Sequence, residues 1–453
     1  MEDLTKGSIS RHLLKTTGFM LVTMVFQTLY FLVDLYWVGR LGKEAIAGVG
    51  IAGNLTFIVL AITQMLAVGT TTLISHAAGR KEREQAQLVL TQSLLLAAFI
   101  GALFLIAVTA LRESYIRSLS PDSVSAAAAN SYLSWFIPAM ALQFPMVVMA
   151  AALRGTGNFK PGMVVQTATV IINIVLAPAL MFGWIGTPKM GVAGAGLASF
   201  VAIIVGTMWL AYYFFDAAAY LKLHPHFKPN TSMWAQVLKI GLPAGVEFAF
   251  IAVYLFVVYT VSRPFGAAAQ AGFGIGQRIT QAGFMPIVAL GFAVAPVAGQ
   301  NFGARKAERV LETFKRAALM AASLMALFTI PCIFAGEAMI RFFSSDPAVI
   351  AIGAEYLRLI AWSLAAGGVV FVNGSIFQAM GNTIPPLIAS FVRILVVAIP
   401  AILLSRVAGF ELRWVWYLSV AATILQLTMN LLLLRREFRA RLSFEVAPDR
   451  QGA

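Results

Sequence analysis

The sequence predicts an all-α integral membrane protein, with twelve transmembrane helices arranged as two pseudo-symmetric six-helix bundles. Three observations carry this. Of the 453 residues, 60% are hydrophobic and only 11% charged, with a mean hydropathy of +0.83, whereas a soluble domain carries about 25% charged residues. The charges sit in short clusters between apolar runs of about 20 residues, which span a bilayer as helices because hydrocarbon offers the backbone no other partner. The two halves also repeat at a constant offset of 224 residues, the distance from Gly79 to Gly303. The same offset relates Gly48, Gly50 and Ile51 to Gly272, Gly274 and Ile275, Glu113 to Glu337, and Arg117 to Arg341. It also relates Asp122 to Asp346, Tyr132 to Tyr356, and Gly157, Asn158 and Pro161 to Gly381, Asn382 and Pro385. A duplicated apolar chain suits an alternating-access transporter, in which two similar bundles rock around a central site.

The spans follow in order. The first, near 14–39, ends at Arg40, and the second, 46–76, lies between Lys43 and Arg80. The third, 88–111, follows Arg83 and ends before Arg112, and the fourth, 124–150, contains Pro138 and Pro145. The fifth, 161–184, contains Pro178, and the sixth, 191–215, opens on Gly194, Ala195, Gly196 and Ala198, small residues that let helices approach closely. The polar segment Lys222–Asn230, with Pro225 and Pro229, begins a linker over 222–236 between an N-terminal lobe, 1–221, and a C-terminal lobe, 237–434. The second set runs 237–261 with Pro243, 269–299 with Pro286 and Pro296, 312–336, 349–379, 384–407 with Pro400, and 413–434. The residues 435–453 read as a charged, mobile tail.

Six spans per half give both repeats the same orientation, related by an axis along the membrane normal. Basic residues concentrate on one side, including Lys6, Arg11, Arg80, Lys81, Arg83, Arg305, Lys306, Arg309, Arg435 and Arg436. The positive-inside rule makes that side, and both termini, cytoplasmic in the plasma (inner) membrane. The net charge of +14 thus reports topology rather than nucleic-acid binding. Cys332, the lone cysteine, reads as a buried structural thiol. The chain opens without a signal-peptide pattern, so the first helix is expected to be retained.

Asp34, late in the first span, is the sharpest single residue. A carboxylate in hydrocarbon costs roughly 2.5–3.5 kcal/mol and therefore faces a cavity or a partner. Burial favours the neutral carboxyl and a nearby cation favours the charged one, so a group poised between them exchanges its proton as access alternates. The alternative is that Asp34 reaches water or Arg40 from the helix end. At the 224 offset its counterpart is Val258. Glu247, one turn past Pro243, is the second acid, with a coupling or substrate role set against pairing with Lys239 or water. Arg393 and Arg278 lie inside predicted spans, where they either hold helices together or neutralise an anion. Asn173 and Ser199 offer hydrogen bonds across the fifth and sixth spans.

Several enzymatic signatures are discounted. Gly48-Val49-Gly50-Ile51-Ala52-Gly53 fits G-x-G-x-x-G but opens a membrane helix rather than a βαβ unit. No P-loop run occurs, and His12, His76, His224 and His226 form no metal-ligand array, so neither a metal nor a cofactor is expected. A membrane-embedded enzyme would need a nucleophile–base pair that the sequence lacks.

Four segments resemble the multidrug and toxic compound extrusion (MATE) transporters over nearly the whole chain: Val33–Gly42, Ala151–Asn158, Gly191–Ala195 and Gly299–Ala304. The resemblance implies twelve helices in two lobes, a V-shaped central cavity, and antiport of drugs or metabolites against protons or sodium. It transfers the first-helix acid to Asp34 and a fifth-helix asparagine to Asn173, and it places Ser199 where many members have threonine. Many members carry a second acid four residues after that asparagine, where this chain has Ala177, and no Asp or Glu occurs from Leu357 through Thr383. These departures favour protons over sodium, since sodium wants several converging oxygens and a proton needs one carboxylate.

The resemblance makes amphipathic, cationic small molecules the expected substrates; methionine and aromatic surfaces adapt to varied ligands and attract organic cations, the alternative being that such side chains contact lipid or pack helices. Wall candidates are Tyr36, Met65, Gln143, Phe144, Tyr254, Gln281, Phe284 and Met285. The alternative is a lipid-linked oligosaccharide flippase of the wider superfamily, whose diphosphate would need Arg278 and Arg393. A monomer is expected.

Overall fold

A computed structural model describes residues 2–120, 122–216, 219–224 and 227–443. His226, Pro225 and the last ten residues of the predicted tail lie outside the described residues. Thirteen α-helices are described: α1 (Ile9–Gly39), α2 (Lys43–Gly79), α3 (Arg83–Leu119), α4 (Ser123–Gly155), α5 (Lys160–Phe182), α6 (Val192–Phe215), α7 (Thr231–Ser262), α8 (Ala267–Gly303), α9 (Ala307–Phe334), α10 (Gly336–Arg341), α11 (Pro347–Ala379), α12 (Ile384–Leu404) and α13 (Arg413–Arg441). All but the short α10 are long and apolar enough to cross a membrane. They coincide with the twelve predicted spans, and most extend several residues further at their polar ends. The chain is a multi-pass integral membrane protein.

The chain divides into two compact units, one of residues 1–3 and 18–245, the other of residues 4–17 and 246–453. In the first unit α4 is the hub, packed on α2, α3 and α6, with α5 against α6. In the second unit α11 takes the same place, packed on α8, α9 and α13, with α12 against α13. The repeat reaches the backbone torsions. Gly42 and Gly266, Lys81 and Arg305, and Gly157 and Gly381 all have positive φ, and each pair is separated by 224 residues. For Lys81 and Arg305, at φ 62° and 56°, the left-handed conformation costs a side-chain-bearing residue energy. Both follow the end of a long helix, where a reversal of the chain requires it.

Helix ends have local causes. Asp122 caps α4 by accepting from the Ser125 N–H at 2.8 Å, and Asp346 caps α11 by accepting from the Ala348 N–H at 2.8 Å. Proline opens α5, α11 and α12, where its missing N–H costs nothing. The internal prolines lie within continuous helices, with Pro331 of α9 added to those the sequence singled out. Small residues set the crossings: a Cβ on Gly194 would lie 2.7 Å from the Leu180 carbonyl carbon, and one on Gly196 would lie 2.6 Å from the Tyr132 carbonyl oxygen. Gly48 of the G-x-G-x-x-G run sits against α4, where a Cβ would lie 2.7 Å from the Ala129 nitrogen, so close helix contact explains that glycine.

Two polar segments are held by side chains. In the first unit Gln92 donates to the Lys228 carbonyl at 2.9 Å and accepts from the Asn230 N–H at 2.8 Å, while Arg83 donates to the carbonyls of Ala219 and Tyr220 at 2.8 Å each. In the second unit the opening segment is bound in the same manner. Gln300 accepts from the Leu4 N–H at 3.0 Å, Lys306 donates to the Thr5 carbonyl at 2.8 Å, and Arg309 donates to the Gly7 carbonyl at 3.0 Å. Leu4 and Leu13 are fully buried.

The tail expected from Arg435 needs correction, because α13 continues to Arg441. Arg441 pairs with Glu437 at 2.7 Å and donates to the Met380 carbonyl at 2.9 Å, while Asn382 donates to Glu437 at 2.9 Å. These bonds fix the extra turns.

Candidate functional site

Each unit carries a polar cluster inside its apolar helices. In the first unit the cluster forms on α1, α5 and α6. Tyr30 and Asp34 are four residues apart on α1 and so share a face. Ser199 of α6 is within hydrogen-bond reach of the Ala195 carbonyl at 3.2 Å, one turn back in its own helix. Its oxygen also lies 3.0 Å from Asn173 Nδ2 on α5 and 3.1 Å from the Tyr30 hydroxyl. A hydroxyl has one proton and two lone pairs. Ser199 therefore accepts from Asn173 and gives its proton either to Ala195 or to the Tyr30 oxygen.

Among the described residues, Asp34 Oδ1 is buried without a hydrogen-bond partner, as is Asn173 Oδ1. Asp34 is half-buried and lies within electrostatic reach of Tyr30 and of Tyr132 on the hub helix α4. Arg40, the alternative partner, turns elsewhere. It donates to the Tyr36 hydroxyl at 2.6 Å, and its guanidinium sits 4.9 Å from the Tyr36 ring centroid and 5.6 Å from that of Trp37.

The second cluster joins α7, α12 and α13. Glu247 accepts from Ser390 at 3.4 Å, and Ser390 in turn accepts from Gln426 at 3.0 Å. Tyr254 shares a hydrogen bond of 3.2 Å with Ser419. Arg393 places its guanidinium 5.8 Å from the Tyr254 ring centroid, within electrostatic reach of Glu247. Tyr254 is the 224-residue counterpart of Tyr30, so a tyrosine–serine bond between the first and last helices of each unit belongs to the duplicated scaffold. The charged residues do not: Asp34 is matched by valine, and Glu247 and Arg393 occur only in the second unit.

The remaining wall candidates are dispersed. Tyr36 is exposed and held by Arg40 at the end of α1. Phe144 is fully buried, edge-on to Phe104 at 5.5 Å; it is a core residue in this conformation and presents no surface to a ligand. Phe284 is half-buried, edge-on to Phe371 at 5.9 Å. Gln143, Met65 and Met285 are half-buried, while Gln281 and Arg278 are exposed. Sequence reasoning missed Tyr30, Ser390 and Gln426. The repeat offset already linked Tyr30 to the candidate Tyr254 and was the available signal. Ser390 and Gln426 are polar residues in apolar spans, without a pattern of their own.

Comparison with known proteins places this geometry. A family model described as MatE matches residues 20–179 and 243–404, most of both halves. A relative from Thermotoga maritima, named "Probable multidrug resistance protein NorM", is 27% identical over 413 residues, covering 90% of this chain and 88% of that one. The "Multidrug export protein MepA" of Staphylococcus haemolyticus is 24% identical over 411 residues, covering 89% of each. A solved structure described as the outward-facing conformation of a multidrug resistance MATE family transporter of the MOP superfamily has a TM-score of 0.88 at 24% identity. The match covers 97% of this chain and 98% of that one, and it fixes the fold as two six-helix bundles.

Proposed function

The chain belongs to the multidrug and toxic compound extrusion (MATE) family, and from that premise we propose that it is a secondary active antiporter. In this reading it exports amphipathic, cationic drugs or metabolites in exchange for protons by alternating access, in the plasma (inner) membrane with both termini cytoplasmic. The names of relatives from Thermotoga maritima and Staphylococcus haemolyticus support drug export as the cargo class.

The observation that carries the proton reading is Asp34 Oδ1, buried among apolar helices with no hydrogen-bond partner among the described residues. A lone carboxylate in such surroundings needs a counter-charge, which either a proton or a cationic substrate can supply. An organic cation and a proton compete for one negative charge, which is the condition for exchange. Sodium is less well served. Asp34 and Asn173 supply two unpartnered buried oxygens, and Ala177 lines the position where a further carboxylate would sit. Glu247 is a second candidate for ion coupling in the other unit.

Transport in proteoliposomes with independently imposed proton and sodium gradients tests this. A proton gradient alone should drive uptake of a fluorescent organic cation. Uptake driven by sodium alone, with the proton gradient collapsed, would overturn the choice of ion.

A further inference from the structure

The last helix, α13, has two contrasting faces. Ser419, Gln426, Asn430 and Leu434 are buried on one of them. Glu437 and Arg441 continue that stripe at spacings of three and four residues, and they bond each other, Asn382 and the Met380 carbonyl. On the opposite face Ile424, Leu425, Thr428 and Leu432 are exposed, and in a span long and apolar enough to cross a bilayer this exposure is to lipid. Arg435, Arg436 and Arg439 prolong the exposed stripe at the same spacing, and all three are exposed.

Their protein surroundings do not account for these three charges. Glu437, the acid nearest in sequence, faces the other way and is taken by Arg441 and Asn382. Among the described residues none of the three arginines forms an ion pair or a side-chain hydrogen bond. Cations at a helix C-terminus offset the dipole, and flanking cations set topology, but neither effect selects one face of the helix. The duplicated scaffold does not call for them either. At the 224-residue offset the three positions are Ala211, Tyr212 and Phe215 on α6. The lipid-facing Leu432 is matched by Met208, and each is 60% exposed. The first unit thus ends this stripe on exposed Tyr212 and Phe215, neutral aromatic side chains of the kind found at membrane interfaces. The second unit carries three positive charges in their place.

The dimensions suit one kind of molecule. Leu425 and Arg435 are ten residues apart, about 15 Å of helix, and half of a hydrocarbon core of roughly 30 Å is about 15 Å. An acyl chain lying along Leu425, Thr428 and Leu432 therefore brings its headgroup level with the arginines. A guanidinium fork binds two oxygens of one phosphate. A headgroup of net negative charge adds no ammonium that the arginines would repel.

We propose that the exposed face of α13 is a binding site for an anionic phospholipid of the leaflet at which this helix ends. Its phosphate is held by Arg435, Arg436 and Arg439, and one acyl chain lies on the apolar stripe that leads to them. The site lies on the opposite face of α13 from the polar cluster and does not depend on the transporter reading.

The test titrates the full-length protein in detergent with phosphatidylglycerol or phosphatidylcholine, and native mass spectrometry gives the dissociation constant of the first lipid bound. Each arginine at an anionic surface contributes about fivefold. Arg435→Gln, Arg436→Gln and Arg439→Gln combined should therefore weaken phosphatidylglycerol by more than about tenfold and leave phosphatidylcholine unchanged. Lysine at the same three positions keeps the charges and should restore most of the affinity. A control that removes three exposed cations elsewhere, Arg11→Gln, Lys160→Gln and Lys228→Gln, should bind like wild type. Unchanged phosphatidylglycerol binding in the arginine-to-glutamine variant, or an equal loss in the control, would overturn the proposal and leave the arginines as solvated topology charges. A lysine variant as weak as the glutamine one would trace the loss to a disturbed helix and overturn it too. Inorganic phosphate at the lipid's concentration should not compete; full competition would replace the lipid site with one for a free anion.

Discussion

Replacing Ser199 with alanine removes one oxygen that joins three helices. Ser199 shares a hydrogen bond with Tyr30 on α1 at 3.1 Å, accepts from Asn173 on α5 at 3.0 Å, and is itself 3% exposed. Its bond to Ala195 lies within its own helix and contributes nothing between helices. Interhelical hydrogen bonds in membranes average about 0.6 kcal/mol, so loss of two gives about 1.2 kcal/mol. The Tyr30 hydroxyl and the Asn173 amide are then left buried without this partner, which moves the cost toward about 3 kcal/mol. A melting temperature lower by about 2–4 °C per kcal/mol is expected, measured by scanning fluorimetry on purified protein in detergent. Ser199→Thr, which restores the hydroxyl, should recover most of the loss. An alanine variant that melts with wild type, or a threonine variant as unstable as alanine, would refute the three-helix junction.

Further expectations are as direct. Asp34→Asn should abolish proton-driven uptake while the protein elutes as a single monodisperse peak; full activity would remove Asp34 from the coupling scheme. Asp122→Ala should lower the melting temperature near pH 7, because the bonds from the Ser125 N–H and hydroxyl hold the Asp122 carboxyl below its ordinary value of 3.8. A depressed folded-state pKa stabilises above the unfolded value and is lost as pH falls through the folded one. The gap between variant and wild type should therefore close below about pH 3.8 and stay constant from pH 6 to 8; a gap that persists in acid would contradict the capping role. Gly194→Val should destabilise by about 1–3 kcal/mol through overpacking, since even the first added carbon lies 2.7 Å from Leu180; an unchanged melting temperature would show that α5 and α6 separate freely.

Much of the architecture was legible because it rests on patterns longer than any helix. The 224-residue offset reads as clearly in the left-handed torsions of Lys81 and Arg305 as in the matched glycines. Helix ends were drawn short because an apolar count stops at the first charge, whereas α13 carries on through Arg435 and Arg436 to the Glu437–Arg441 pair. Asp34, Asn173 and Ser199 stood out as polar groups in apolar runs, yet the tie from Ser199 to α1 is made by the Tyr30 hydroxyl, on a residue that any membrane helix can carry. Phe144 shows the reverse. Its aromatic character made it a wall candidate, and only the packing against Phe104 reveals it as core. Ser390 and Gln426 acquire meaning solely from the fold, which sets them beside a glutamate more than 140 positions away.

The bound opening segment has a consequence for how the protein is made. Leu4 leaves the ribosome 296 positions ahead of its partner Gln300. At roughly 5–20 residues per second, that interval is on the order of 15–60 s. For all that time a stretch destined for full burial has no cradle, and a nascent chain halted before Arg309 cannot seat it. Biogenesis of the second unit therefore closes on residues 4–17, a segment made before nearly all of the first unit.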